Sequence, residues 1–69
     1  SKKIITRRER EILHLLINGN TSTEIASILF ISPRTVDKHR TNLLKKLNLK
    51  NTASLVRFAL ENKNNLEHM

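Results

Sequence analysis

An all-α domain of four short helices is predicted by three features of this 69-residue chain. Apolar residues recur at helical spacing, as Ile12, Leu15 and Leu16 do. Helix-capping patterns recur ahead of those stripes, at Thr6, Thr21, Ser32 and Asn51-Thr52. Proline and glycine occur once each, too few for the turns of a β-rich fold. The length allows one domain, near the lower limit for folding without disulfides or metals. No repeat or low-complexity linker divides it, so residues 1–69 are taken as one unit, with a folded core over 5–63 and a polar tail over 64–69 expected to fray.

Thr6-Arg7-Arg8-Glu9 fits a capping box, and the first helix is expected over 7–18, with Ile12, Leu15 and Leu16 on one stripe and Leu13 beside it. Gly19 suits its left-handed end. Thr21-Ser22-Thr23-Glu24 repeats the box and starts a second helix, about Ser22 to Leu29, expected to bury Ile25, Ala26, Ile28 and Leu29. Phe30-Ile31 forms a short apolar connection, and both phenylalanines, Phe30 and Phe58, are expected to project toward apolar positions. Ser32 caps a third helix with Pro33 at its first position, running to about Leu47. Asn48 can close it in a left-handed conformation. Asn51 or Thr52 can cap a fourth helix, about Thr52 to Lys63, with Leu55, Phe58 and Ala59 on one stripe.

The link between the second and third helices is so short that the two must meet in a tight corner, as in a helix-turn-helix unit, although the glycine usual in that turn is absent. Charge is concentrated just after this corner. Thirteen Lys and Arg stand against six Asp and Glu, a formal +7, and residues 33–50 carry six of those cations against Asp37 alone, a net +5. An anionic partner is the natural inference. Cysteine is absent, which excludes disulfides and thiolate metal sites. No apolar run approaches the roughly 18 to 20 residues needed to span a bilayer. The basic start SKK leads straight into an amphipathic segment, without the pattern of a signal peptide. The expectation is a soluble, intracellular domain with no cofactor.

On the third helix, projection at about 100° per residue puts Val36, Leu43 and Leu47 on a line that must face the core. Arg34, Lys38, Thr41 and Lys45 lie on the opposite line, flanked by Asn42 and Asp37. Long cationic donors and a hydroxyl on one outward face suit a major groove, so double-stranded DNA is the expected partner. The three histidines are scattered and supply no nucleophile, base and orienter together, and Glu11 with His14 is one pair without further ligands. Neither an enzyme nor a metal site is predicted. His39, beside the core line, is expected to be half-buried and structural. Arg40 projects near the core line, where it could snorkel either to a phosphate or to an acidic partner. Asp37 sits three residues from both Arg34 and Arg40. It could pair with an arginine, or accept from a cytosine amino group.

Three blocks also carry a family resemblance: T-x-R-E-R-E-I-L-x-L-L-x-x-G at 6–19, E-I-A-x-x-L-x-I-S-x-x-T-V-x-x-H at 24–39, and K-L-x-L-x-N at 46–51. Over about residues 5–60 the chain resembles the LuxR/FixJ/NarL-type helix-turn-helix domain. The resemblance implies a four-helix domain of bacterial transcription regulators, commonly the C-terminal output half of a two-component response regulator. It also implies a cytoplasmic protein, associated with the nucleoid when bound to DNA. By the same resemblance the third helix enters the major groove, the second braces it, and the fourth forms a dimer interface.

Carried onto this sequence, the resemblance makes Asp37, Lys38 and Thr41 the base-contact candidates. Ser32, Arg34, Thr35, Arg40, Asn42, Lys45 and Lys46, with Thr23 of the second helix, are the phosphate candidates. Val56 and Leu60, a second apolar strip of the fourth helix, are candidates for a homodimer interface, and RNA polymerase is a further candidate partner. Two positions depart from the family pattern. Asn48 stands where glycine is frequent, and Asp37 where lysine is frequent, so relatives' DNA preference does not transfer. The alternatives are a sigma-like or recombinase DNA-contacting domain, and a helical protein-interaction module docking an acidic partner.

Overall fold

The computed structural model describes residues 5–62, which form four helices and no strand: α1 (Arg7–Ile17), α2 (Ser22–Leu29), α3 (Pro33–Leu47) and α4 (Thr52–Glu61). Both capping boxes close as the sequence predicts. Thr6 Oγ1 accepts from the Glu9 amide at 3.1 Å while Glu9 Oε1 accepts from the Thr6 amide at 3.0 Å. Thr21 and Glu24 repeat this exchange at 3.2 and 2.8 Å. The start of α3 is capped by Ser32, with Pro33 in the first turn. Asn51, rather than Thr52, caps α4, accepting from the Ser54 amide at 2.8 Å. The tail over 64–69 and Lys63, the expected last residue of the fourth helix, lie outside the described residues.

The first three helices end alike. Gly19 (φ 91), Phe30 (φ 58) and Asn48 (φ 56) turn left-handed. The amide after each reaches back across the last turn, Asn20 to the Leu15 carbonyl, Ile31 to Ala26 and Leu49 to Leu44. Glycine and asparagine tolerate this conformation, whereas a phenylalanine there costs about 1–2 kcal/mol. The connection at Phe30 therefore holds a strained left-handed residue, where the sequence suggested only an apolar link. Phe30 is 93% exposed, against the expected apolar contact.

Helix α3 packs against α1, α2 and α4, and α1 also packs against α2 and α4. Ile12, Leu13, Ile25, Val36, Leu43 and Leu55 are fully buried where these elements meet, with Ala59 and Ile5 completing the centre. Two expected stripes are centred differently. Leu13, expected beside the first stripe, is fully buried while Leu15 is only partly buried against the core, and Ile28, expected to be buried, is 49% exposed. In each case the buried arc is centred between residues i and i+1, so the i+3 residue falls about 110° from its middle. Phe58 lies partly buried against the core, while Leu60 is 56% exposed.

Candidate nucleic-acid interface

The faces of α3 divide sharply. Val36 and Leu43 are fully buried and Leu47 packs against the core, while Arg34, Lys38, Thr41 and Lys45 are all exposed. Among the described residues none of these four exposed side chains takes part in a hydrogen bond or ion pair. Asn42 is half-buried at one edge of this face and Asp37 at the other. Thr23 is exposed at the start of α2. At the head of α3 the Ser32 hydroxyl accepts from the Thr35 amide at 3.2 Å and lies 2.9 Å from the Thr35 hydroxyl. His39 is half-buried, and its Nδ1 has no hydrogen-bond partner among the described residues.

Asp37 and Arg40 belong to one polar chain that joins three helices. Arg40 Nη2 donates to Asp37 Oδ1 at 3.0 Å, and Arg40 Nη1 donates to Thr52 Oγ1 at 3.0 Å. The Ser22 hydroxyl donates to the same Asp37 oxygen at 2.9 Å. Ser22 and Thr52 each follow a helix cap, Thr21 and Asn51, so the caps of α2 and α4 set the position of both hydroxyls against α3. Of the two partners open to Arg40 in the sequence, the structure shows the acidic one. Ser22 did not stand out in the sequence and Thr52 did so only as an alternative cap, because a hydroxyl in a first helical turn is ordinary and only the packing brings the two to Asp37 and Arg40.

Lys46, a phosphate candidate by the resemblance, is engaged within the domain. Its Nζ donates to Glu9 Oε1 at 2.7 Å, with Glu9 only 3% exposed. Helical projection explains the difference: Arg40 and Lys46 flank the Leu43 line by about 60° on either side, so each reaches a neighbouring helix. Lys45, about 160° from that line, faces solvent. Burial pushes the Glu9 carboxyl up, but the Lys46 ammonium and the Thr6 amide and hydroxyl outweigh it and hold its pKa below the usual glutamate value. Glu11, paired in the sequence with His14, instead meets Arg8 at 3.3 Å.

Four helices, with α2 and α3 meeting in a tight corner and α3 turning a cationic face outward, define a helix-turn-helix domain of a DNA-binding regulator. Residues 3–59 match the family described as bacterial regulatory proteins, luxR family, and the chain belongs to that family. It is 46% identical over 61 residues to the oxygen regulatory protein NreC of Staphylococcus carnosus (strain TM300), and equally to that of Staphylococcus epidermidis (strain ATCC 12228 / FDA PCI 1200). The matched segment covers 88% of this chain and 28% of either relative. Among the described residues no helix is long and apolar enough to cross a membrane.

Proposed function

We propose that this domain binds double-stranded DNA in a sequence-specific manner, with α3 in the major groove, as the output domain of a bacterial response regulator in the cytoplasm. The observation that carries this reading is the line Arg34, Lys38, Thr41 and Lys45, exposed along α3 without partners among the described residues. Cations that pair with nothing inside the domain are available to phosphate oxygens or to guanine edges. Lys38 and Thr41, at the middle of the face, and Asp37 at its edge are the base contacts. Arg34, Lys45 and Asn42, with the hydroxyls of Ser32, Thr35 and Thr23, are the backbone contacts. Arg40 and Lys46 serve instead to hold α3 in place, through Asp37 and Thr52 on one flank and Glu9 on the other.

The exposed Leu60 and the partly buried Val56 on α4 support a two-fold dimer that sets two copies of α3 on half-sites about one helical turn apart. RNA polymerase would then be a partner of the DNA-bound dimer. Selection of binding sites from random duplex DNA, at two stated salt concentrations, tests the proposal. Enrichment of one motif, with affinity falling steeply as salt rises, is expected. Absence of any enriched motif overturns it.

A further inference from the structure

We propose that Asp37 is a preset acceptor for the 4-amino group of a cytosine, and that Ser22 and Thr52, outside the DNA-contacting face, are the positioning residues that set it. The proposal rests on α3 lying in the major groove. Both protein donors to Asp37, the Ser22 hydroxyl and the Arg40 guanidinium, fall on Oδ1. Oδ2 accepts no hydrogen bond among the described residues, and the side chain is 51% exposed at the edge of the outward face. One oxygen is thus turned in and fixed, and the other is left for an external donor.

Base chemistry then narrows the choice. A carboxylate only accepts hydrogen bonds. Guanine and thymine present acceptors in the major groove and repel it, whereas adenine and cytosine each present an amino group. The adenine amino group lies between two acceptors, its own N7 and O4 of the paired thymine. That of cytosine has an acceptor on one side only, O6 of the paired guanine, so the carboxylate meets less repulsion there.

The anchors supply what an exposed aspartate lacks. A free side chain would lose rotamer freedom on contact, and its charge would be repelled by the phosphates. Ser22 and Arg40 have already taken up that freedom, and the guanidinium 3.0 Å away offsets the charge. Arg40 is in turn aimed by Thr52, the first residue of α4. A hydroxyl on the fourth helix therefore acts on base choice through two intervening side chains.

The test uses the 69-residue chain and the duplex selected above. Each cytosine of the selected site is replaced singly by 2-pyrimidinone, which lacks the 4-amino group. At one of them affinity is expected to fall about tenfold, as for loss of a hydrogen bond to a charged group. The Asp37→Ala variant should show no such penalty at that base. Thr52→Val and Ser22→Ala should shrink it to about two- or threefold, and Thr52→Ser should restore it. Each readout is a ratio between two duplexes on one protein, so a smaller folded fraction leaves it unchanged.

If a motif is selected but no cytosine replacement weakens the wild type, or Asp37→Ala keeps the full penalty, this inference fails while the groove assignment stands. A full penalty retained in both Thr52→Val and Ser22→Ala overturns the positioning roles alone. With no motif selected, the functional proposal itself fails.

Discussion

Glu9 and Lys46, 37 residues apart in the chain, meet at 2.7 Å beneath the start of α1. The same carboxylate closes the α1 capping box, so one side chain both starts a helix and ties it to α3. Glu9→Ala removes both functions and is expected to destabilise the domain by about 2–3 kcal/mol. Glu9→Gln can still accept from the Thr6 amide and should cost about half as much. Denaturant unfolding of the two variants beside the wild type measures the difference.

The same contact predicts a pH dependence. The folded-state pKa of Glu9 is depressed, so the stabilisation is fully present above the unfolded-state pKa, about 4.3. It is lost as pH falls through the lower folded value. Between pH 7 and 3, wild-type stability should therefore fall more steeply than that of Glu9→Gln, and parallel curves would rule out this linkage.

Phe30 predicts a gain rather than a loss. Its side chain is 93% exposed, so Phe30→Gly forfeits little packing while relieving the left-handed strain. After the extra chain entropy of glycine, a net gain of about 1 kcal/mol is expected, raising the melting temperature by about 4–8 °C. A lower melting temperature would mean that the exposed ring stabilises the corner in some other way.

The exposed cations should separate into two kinds. Lys45→Ala is expected to weaken binding to all duplexes and to reduce the slope of log affinity against log salt by about one. Lys38→Ala should reduce specific binding more than non-specific binding, by about 1–3 kcal/mol of discrimination. Unchanged affinity for a selected site in both variants would exclude the groove assignment.

Leu60 is the exposed large apolar residue of α4, so a charge there stays in contact with solvent. Leu60→Glu should leave monomer stability within about 0.5 kcal/mol. It should remove cooperative binding to paired half-sites while preserving binding to a single one, as titration of the two duplexes would show.

How much of this was visible in the sequence follows from the range of the interactions involved. Caps and helix starts were legible because Thr6, Thr21, Ser32 and Asn51 act on amides three residues away. The outward face of α3 was legible because a 15-residue helix fixes which residues share a side. Local periodicity was less informative in α2, where eight residues leave the centre of the stripe ambiguous and Ile28 was misassigned. The Asp37–Arg40 pair was legible as a three-residue spacing within α3, whereas Lys46–Glu9, Ser22–Asp37 and Arg40–Thr52 depend on which helix lies against each flank of α3, and no local pattern encodes them. Phe30 misled because its apolar character suggested burial, while the corner needed a left-handed residue at that point in the chain.

The attachment of α3 also bears on how such a domain can diverge. Positions 34, 38, 41 and 45 are exposed and make no hydrogen bond or ion pair among the described residues, so a lineage could exchange them one at a time with little effect on folding. Positions 37, 40 and 46 are bound to partners on α2, α4 and α1, and a change at any of them strands a group on a neighbouring helix. New operator preferences would thus arise first through single substitutions along the outward line. A new residue at 37 becomes accessible only in company with changes at 22 or 40, so that position should turn over in steps, with its partners, while the rest of the face drifts.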